Sequence, residues 1–232
     1  MAKEIKVEVK SKKKEAIWKI YKLGFQVDGL FGGQLPRSET EIRAMLEHRM
    51  PTKKPEDAIP VEELVDKVVS QVDVQDEDDD DYIPSWSTFK HNVTNTLVYE
   101  GRSVRGHLKD CALQVQNFHK DVKNFRSKVV NRLYVMDDLI PLYREDGEPY
   151  KEVVDTEVRY IQVMTRQGPR SAIKHIDYVM NPYFEVTIKL LNDGIINMSH
   201  IESILEYGSV HGMGAERSQG WGRYEIKQFV EV

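Results

Sequence analysis

The chain has 232 residues, of which 40% are hydrophobic and 31% are charged, a composition typical of a folded globular protein. No apolar run approaches the roughly 18 residues of a membrane span, and no apolar core follows the lysine-rich start, which argues against a membrane or secreted protein. The single cysteine, Cys111, excludes an internal disulfide and fits a reducing compartment. We therefore expect a cytoplasmic location, or the host cytoplasm for a viral gene.

The net charge of −5 does not exclude a nucleic-acid partner, because opposite charges are segregated along the chain. The run DEDDDD at 76–81 carries six negative charges, which leaves a balance of +1 for the remainder. Residues 3–22 hold eight lysines against three glutamates. A basic groove is therefore compatible with the acidic total.

The first predicted elements are a strand and a helix. Residues 1–15 form a basic N-terminal segment, and residues 16–27 show the apolar and aromatic alternation of a strand. Ser38 followed by Glu41 is a capping-box pattern, which predicts a helix that continues to about His48.

Residues 51–84 have the features of an insertion. Three prolines punctuate this segment, and residues 61–72 have the pattern of a short amphipathic helix. The acidic run predicts a solvent-exposed loop, because clustered carboxylates repel one another. Carboxylates can bind calcium or magnesium, but the glycine and ligand spacing of an EF-hand loop is missing, so we predict no metal site.

The second half of the chain predicts several strands and two further helices. A strand at 96–99 precedes apolar residues at helical spacing from Leu108 to Phe118, and a second helix is predicted at 198–207. The strand-like runs lie at 129–135, 153–163, 173–179, 183–191 and 221–230. This order favours an α+β fold in which helices pack on a sheet.

The most distinctive segment is GMGAERSQGWGR at 212–223, between the last predicted helix and the last strand. Its four glycines permit positive φ angles and close approach of another backbone or a phosphate. Arg217 and Arg223 carry guanidinium groups that suit phosphates, and Trp221 or Tyr224 can stack on a base. A tight helix-to-strand connection is the alternative explanation of the same glycines.

Two segments, in this order, resemble the CRISPR-associated RAMP superfamily. EGRSVRGHLK at 100–109 is similar to the stretch G-S-x-[LV]-[KR]-G-x-[LI]-[KR], with Arg102 where serine is usual. Residues 212–223 are similar to the terminal signature G-x-G-x-x-x-S-x-G-x-G. The likeness covers roughly residues 96–232 together with the strand at 16–27, and it is greatest for the backbone subunits that line guide RNA.

The resemblance implies a ferredoxin-like, RRM-type (RAMP) antiparallel sheet with packed helices over residues 16–232, one domain with an acidic insertion at about 51–84. It implies a strand-lining, non-catalytic protein that binds single-stranded RNA, or DNA, and associates with itself or with other subunits. No cofactor and no membrane partner are expected. The implied binding residues are Gly101, Arg102, Ser103, Arg105, Lys109, Gly212, Gly214, Arg217, Ser218, Gly220, Gly222 and Arg223. A helix N-terminus with nearby arginines is also a natural phosphate site.

Two other functions stay open. A metal-independent endoribonuclease needs a base, an acid and a cation at the scissile phosphate, and His107 and His211 lie in the two family-like segments. His107 is the candidate base, His211 or Tyr207 the candidate acid, and Arg217 the stabilising cation. The third possibility is a virus-encoded assembly or interaction protein, from a phage or mobile element, that has the fold and does not bind RNA.

Other chemistry finds no support in the motifs. Asp28 lies near the position of the aspartate that cuts target RNA in the family, but its surroundings, VDGLFGG, do not match, so no catalytic role is assigned to it. The histidines show no HExxH spacing, and the chain has no CxxC pair, no GxxxxGK[ST] loop and no GxSxG elbow.

Overall fold

The structure is a computed structural model that describes residues 16–50, 59–76, 85–165 and 168–232. The basic segment 1–15 and all of the acidic run except Asp76 lie outside the described residues, as do residues 51–58 of the predicted insertion. The helices are α1 (Glu39–Arg49), α2 (Val61–Val69), α3 (Gly101–Val115), α4 (Phe125–Val130) and α5 (Met198–His211). The strands are β1 (Trp18–Asp28), β2 (Leu30–Gly32), β3 (Leu35–Pro36), β4 (Trp86–Thr88), β5 (Lys90–His91), β6 (Leu97–Glu100), β7 (Leu133–Val135), β8 (Leu139–Pro141), β9 (Asp155–Thr165), β10 (Gly168–Met180), β11 (Tyr183–Leu191) and β12 (Arg223–Glu231).

The principal sheet has the strand order β12-β1-β11-β7, and all of its pairs are antiparallel. In chain order its elements run β1, α3, β7, β11, α5 and β12, which is the β-α-β-β-α-β succession of a ferredoxin-like fold. The remaining elements are insertions between β1 and α3 and between β7 and β11. The predicted α+β, ferredoxin-like fold is therefore confirmed.

The core lies between the principal sheet and the helices α3 and α5. Leu23 and Phe25 of β1 face the helices, and Phe25 stacks on Phe184 of β11 with 5.1 Å between ring centroids. The helices contribute apolar residues at three- and four-residue spacing, among them Leu108 and Ile204. Burial of one such side chain stabilises the fold by about 1.5–3 kcal/mol.

A second sheet is formed by insertions. β9 and β10 pair antiparallel along their length, and β10 also pairs with β2 and, in parallel, with β4. β3 extends this sheet beside β4, and α1 packs on α2 next to it. A small cluster of buried residues, Leu35, Ile42, Val68 and Val72, lies under these two helices and is separate from the main core.

Most predicted elements occur where the sequence places them, and one does not. Ser38 caps α1 by accepting a hydrogen bond from the Glu41 amide at 3.2 Å, as its pattern predicts. The predicted strand at 129–135 is shorter, because Phe125 and Val129 form the buried side of α4 and only Leu133–Val135 pairs with β11.

Among the described residues, no helix is long and apolar enough to cross a membrane.

Candidate nucleic-acid interface

The glycine-rich loop between α5 and β12 is closed by backbone conformations that favour glycine. Its four glycines all have positive φ, at 78° for Gly212, 81° for Gly214, 85° for Gly220 and 68° for Gly222. A Cβ atom at Gly222 would overlap the Met213 carbonyl oxygen, so side chains are excluded there by sterics as well. The turn itself therefore accounts for the glycines.

The inner side of the loop is attached to β2. The Ala215 amide donates to the Gly32 carbonyl at 3.1 Å, and the Gly222 amide donates to the Leu30 carbonyl at 2.9 Å. Trp221 is buried behind the loop and meets Tyr178 edge-on at 5.7 Å.

Tyr224 is buried as well, so neither aromatic side chain has a face exposed for a base. The expectation that Trp221 or Tyr224 stacks on a base is wrong, because the alternation of β12 and the loop's attachment to β2 direct both rings inward.

The two family-like segments meet, as expected, along one side of α3. The Gly214 amide donates to the Tyr99 hydroxyl at 3.2 Å, and Ser103 of α3 also hydrogen-bonds to this hydroxyl. Burial raises the pKa of Tyr99 to about 12, which keeps the hydroxyl neutral. Arg217 donates to Nε2 of His211 at 3.3 Å and lies 3.9 Å from the Asp110 carboxylate.

His107 lies inside the core at this junction. It is 4% exposed, and its Nε2 is 2.9 Å from the Tyr224 hydroxyl. Burial, followed by the nearby His211 and Arg217, lowers the pKa of His107 to about 3. The ring is therefore neutral at pH 7, and its surroundings are those of a packed side chain.

The polar surface of the loop consists of Arg217, Ser218 and Arg223. The Arg217 side chain is 37% exposed, and Ser218 and Arg223 are exposed. Arg223 forms no ion pair with any residue that the structure describes. The loop therefore presents two guanidinium groups and a hydroxyl to solvent beside α3.

The predicted residues of α3 divide between different surfaces. Gly101 is buried at the helix start, where its amide donates to the Asp138 carbonyl at 2.9 Å. Arg102 is exposed and pairs with Glu100 at 2.5 Å. Arg105 lies over the Tyr134 ring at 5.2 Å, and it lines a groove towards α4 together with Lys109. Ser103 is thus the predicted polar residue of α3 that meets the terminal loop.

The face of the principal sheet opposite the helices carries a groove of about 530 Å³. Two tyrosines, Tyr143 and Tyr183, line this groove with Lys22. The carboxylates of Asp137 and Glu185 are also present, and Glu185 accepts a hydrogen bond from the Tyr183 hydroxyl at 2.8 Å. An RRM binds RNA on this face through exposed aromatic rings, whereas here mixed charges surround half-buried ones.

One group of three potential metal ligands occurs among the described residues. His119, Asp121 and His200 place their ligand atoms within 4.8 Å of one another. Nδ1 of His200, however, accepts a hydrogen bond from the Asn197 amide and closes the capping box of α5. A neutral His200 therefore carries its proton on Nε2, directed at Asp121, 3.5 Å away. A metal ion would have to displace that proton, so the group acts as a helix cap.

No family model matches the chain, and no curated protein matches it. Among solved structures it is similar to a chain of the cryo-EM structure of the type III-B Cmr-beta bound to cognate target RNA, with 9% identity and a TM-score of 0.47. The likeness covers 93% of this chain and 61% of that chain, so this chain spans less than two thirds of the length of its match. The ferredoxin-like assignment rests on the strand order.

Proposed function

We propose that this protein binds single-stranded RNA as a non-catalytic, strand-lining subunit of RAMP type. The observation that carries the proposal is the presentation of Arg217, Ser218 and Arg223 by a rigid, glycine-closed loop beside α3. Guanidinium groups and hydroxyls are the donors that contact phosphate oxygens in nucleic-acid complexes. The resemblance of residues 100–109 and 212–223 to the RAMP motifs favours RNA over DNA.

The geometry of the loop supports a binding role more than a catalytic one. A general base must reach a proton on the substrate, and His107 is separated from solvent by its packing against Tyr224, Cys111 and Gly208. Its low pKa also makes it a weak base near neutral pH. We therefore assign His107 to the core and treat the endoribonuclease alternative as an outcome of the binding experiment.

The experiment is a titration of nucleic-acid-free protein into labelled single-stranded RNA of about 30 nucleotides over a salt series. We expect binding that weakens with salt. In Arg217→Ala/Arg223→Ala the slope of log affinity against log salt should fall by about 2, one for each lost phosphate contact. Arg43→Ala is the matched control, because Arg43 is an exposed arginine of α1 that pairs with Glu39 and Glu62.

Several results would contradict the proposal. Absence of binding at low salt would favour the assembly-protein alternative, and a double variant with wild-type affinity would remove the loop from the interface. Equal binding of single-stranded DNA would remove the preference for RNA. Cleaved RNA that His107→Gln leaves intact would establish the endoribonuclease instead.

We also propose that copies of the protein, or related subunits, lie side by side along the strand. The same titration tests this, because RNA of twice the length should bind twice as many protein molecules. A single copy bound to RNA of either length would contradict it.

A further inference from the structure

The helical layer around α3 and α4 carries a concentration of positive charge that the terminal loop does not use. Residues 102–132 contain eight lysines and arginines against two aspartates, a balance of +6, whereas the rest of the chain carries −11. A strongly basic surface on an acidic protein indicates a specific polyanionic ligand, since the total charge opposes non-specific attraction.

Intramolecular ion pairs leave most of this charge uncompensated. The two aspartates face other groups, with Asp110 near Arg217 and Asp121 near His200. Arg102 and Arg132 pair with Glu100 and Asp193. The other cations of the stretch form no ion pair with described residues: Arg105, Lys109, Lys120, Lys123, Arg126 and Lys128.

A groove of about 420 Å³ lies within this surface, between the second half of α3 and the start of α4. Its polar lining consists of Lys109, Gln116, Asn124, Arg126 and Ser127, and we call it the α3–α4 groove. The Nε atom of Arg126 is buried and has no hydrogen-bond acceptor among the described residues. A buried donor without a partner is costly, and a phosphate oxygen in the groove can supply the missing acceptor.

The side chains around the groove fit a nucleic acid better than an acidic protein segment. Amides and hydroxyls such as those of Gln116, Asn124 and Ser127 contact phosphates and sugars in nucleic-acid complexes. Phe118 follows α3 directly and is 84% exposed, so its ring is available for stacking on a base.

We propose that the α3–α4 groove is a second phosphate-binding surface, which holds a further segment of the single-stranded RNA that binds at the terminal loop. The groove lies on the side of α3 that carries Lys109, whereas the terminal loop contacts the side that carries Ser103 and Asp110. The inference rests on the proposed function for its ligand and uses a separate set of residues.

The test compares two double variants of the full chain with wild type on the same labelled RNA. Lys109→Gln/Arg126→Gln should weaken binding by about tenfold or more at low salt and lower the salt slope by about 2. Lys120→Gln/Lys123→Gln changes two fully exposed lysines, so its effect does not depend on a change in folding. Photo-crosslinking of wild type should attach RNA to peptides within residues 102–132, in addition to the terminal loop.

The outcomes separate this inference from the proposed function. If wild type binds RNA, both groove variants bind it equally well and crosslinks are confined to the terminal loop, the α3–α4 groove is not an RNA surface and the proposed function stands. If wild type does not bind RNA, both fall. If crosslinks occur on residues 102–132 and the Arg217→Ala/Arg223→Ala variant binds as wild type, the groove is the principal site instead.

Discussion

The contacts of His107 show how one residue links the helices to the sheet. Its Nε2 meets the Tyr224 hydroxyl, its ring lies 3.6 Å from the Cys111 sulfur, and the absence of a side chain at Gly208 makes room for it. Burial also raises the pKa of Cys111 to about 12, so the thiol is protonated and has little reactivity at neutral pH. Both groups are therefore neutral parts of the packing at pH 7.

The lowered pKa of His107 predicts a loss of stability in acid. The unfolded chain takes up this proton as the pH falls through about 6.5, whereas the folded chain takes it up only near 3, so acidification between these values favours unfolding. The loss should be on the order of 1 kcal/mol per pH unit. Urea unfolding of wild type and His107→Gln at pH 7.5 and 5.0 measures it. An equal loss in both proteins would show that His107 does not titrate this way.

At the scale of elements, the glycine loop joins α5 to β12 and lies against β2 at the same time. Gly222 combines a φ of 68° with close contact to Met213, whereas Gly106 lies within α3, where an added Cβ would meet nothing within 4 Å. The two glycines therefore have opposite requirements in the same protein.

Replacement of these two glycines by alanine should change stability in opposite directions. Gly222→Ala should destabilise the fold by about 1–3 kcal/mol, because it adds backbone strain and a steric overlap. Gly106→Ala should stabilise it by about 0.5–1 kcal/mol, because alanine is the better helix former. Chemical unfolding measures both. Wild-type stability in Gly222→Ala would mean that the loop does not hold this conformation.

Sequence spacing located the elements better than their partners. The alternation at 16–27 and the cap at Ser38 are local signals, and β1 and α1 occur where these predict them. The pairing of β10 with both β9 and β4 depends on contacts between distant segments, which periodicity does not report. The glycine loop was likewise visible in the sequence, but the burial of His107 depends on Tyr224, 117 positions away.

The molecule as a whole has two groups of buried residues of unequal size. The large core joins the principal sheet to α3 and α5, and the small one joins α1 and α2 to β3. Because the two groups share no buried residue, loss of the small one need not unfold the large one. One domain over residues 16–232 is still a prediction, and its cooperativity can be measured.

Hydrogen exchange should reveal two levels of stability. Ile42→Ala creates a cavity in the small core and should remove exchange protection from α1 and α2, while amides of β1 and β11 keep theirs. Ile204→Ala, in the large core, should lower protection throughout the chain. A uniform loss in Ile42→Ala would show instead that the two cores unfold together.

The position of β1 in the middle of the principal sheet has a consequence for synthesis. Gln26 pairs with Tyr183 and Tyr21 pairs with Glu231, so both neighbours of β1 leave the ribosome long after it does. At ~5–20 residues per second, the first of them follows after about 160 residues, or roughly 8–30 s. During that interval an apolar strand has emerged without either of its native neighbours. Production of this protein should therefore depend on chaperones that shield nascent chains, and slow translation should make it more prone to aggregation.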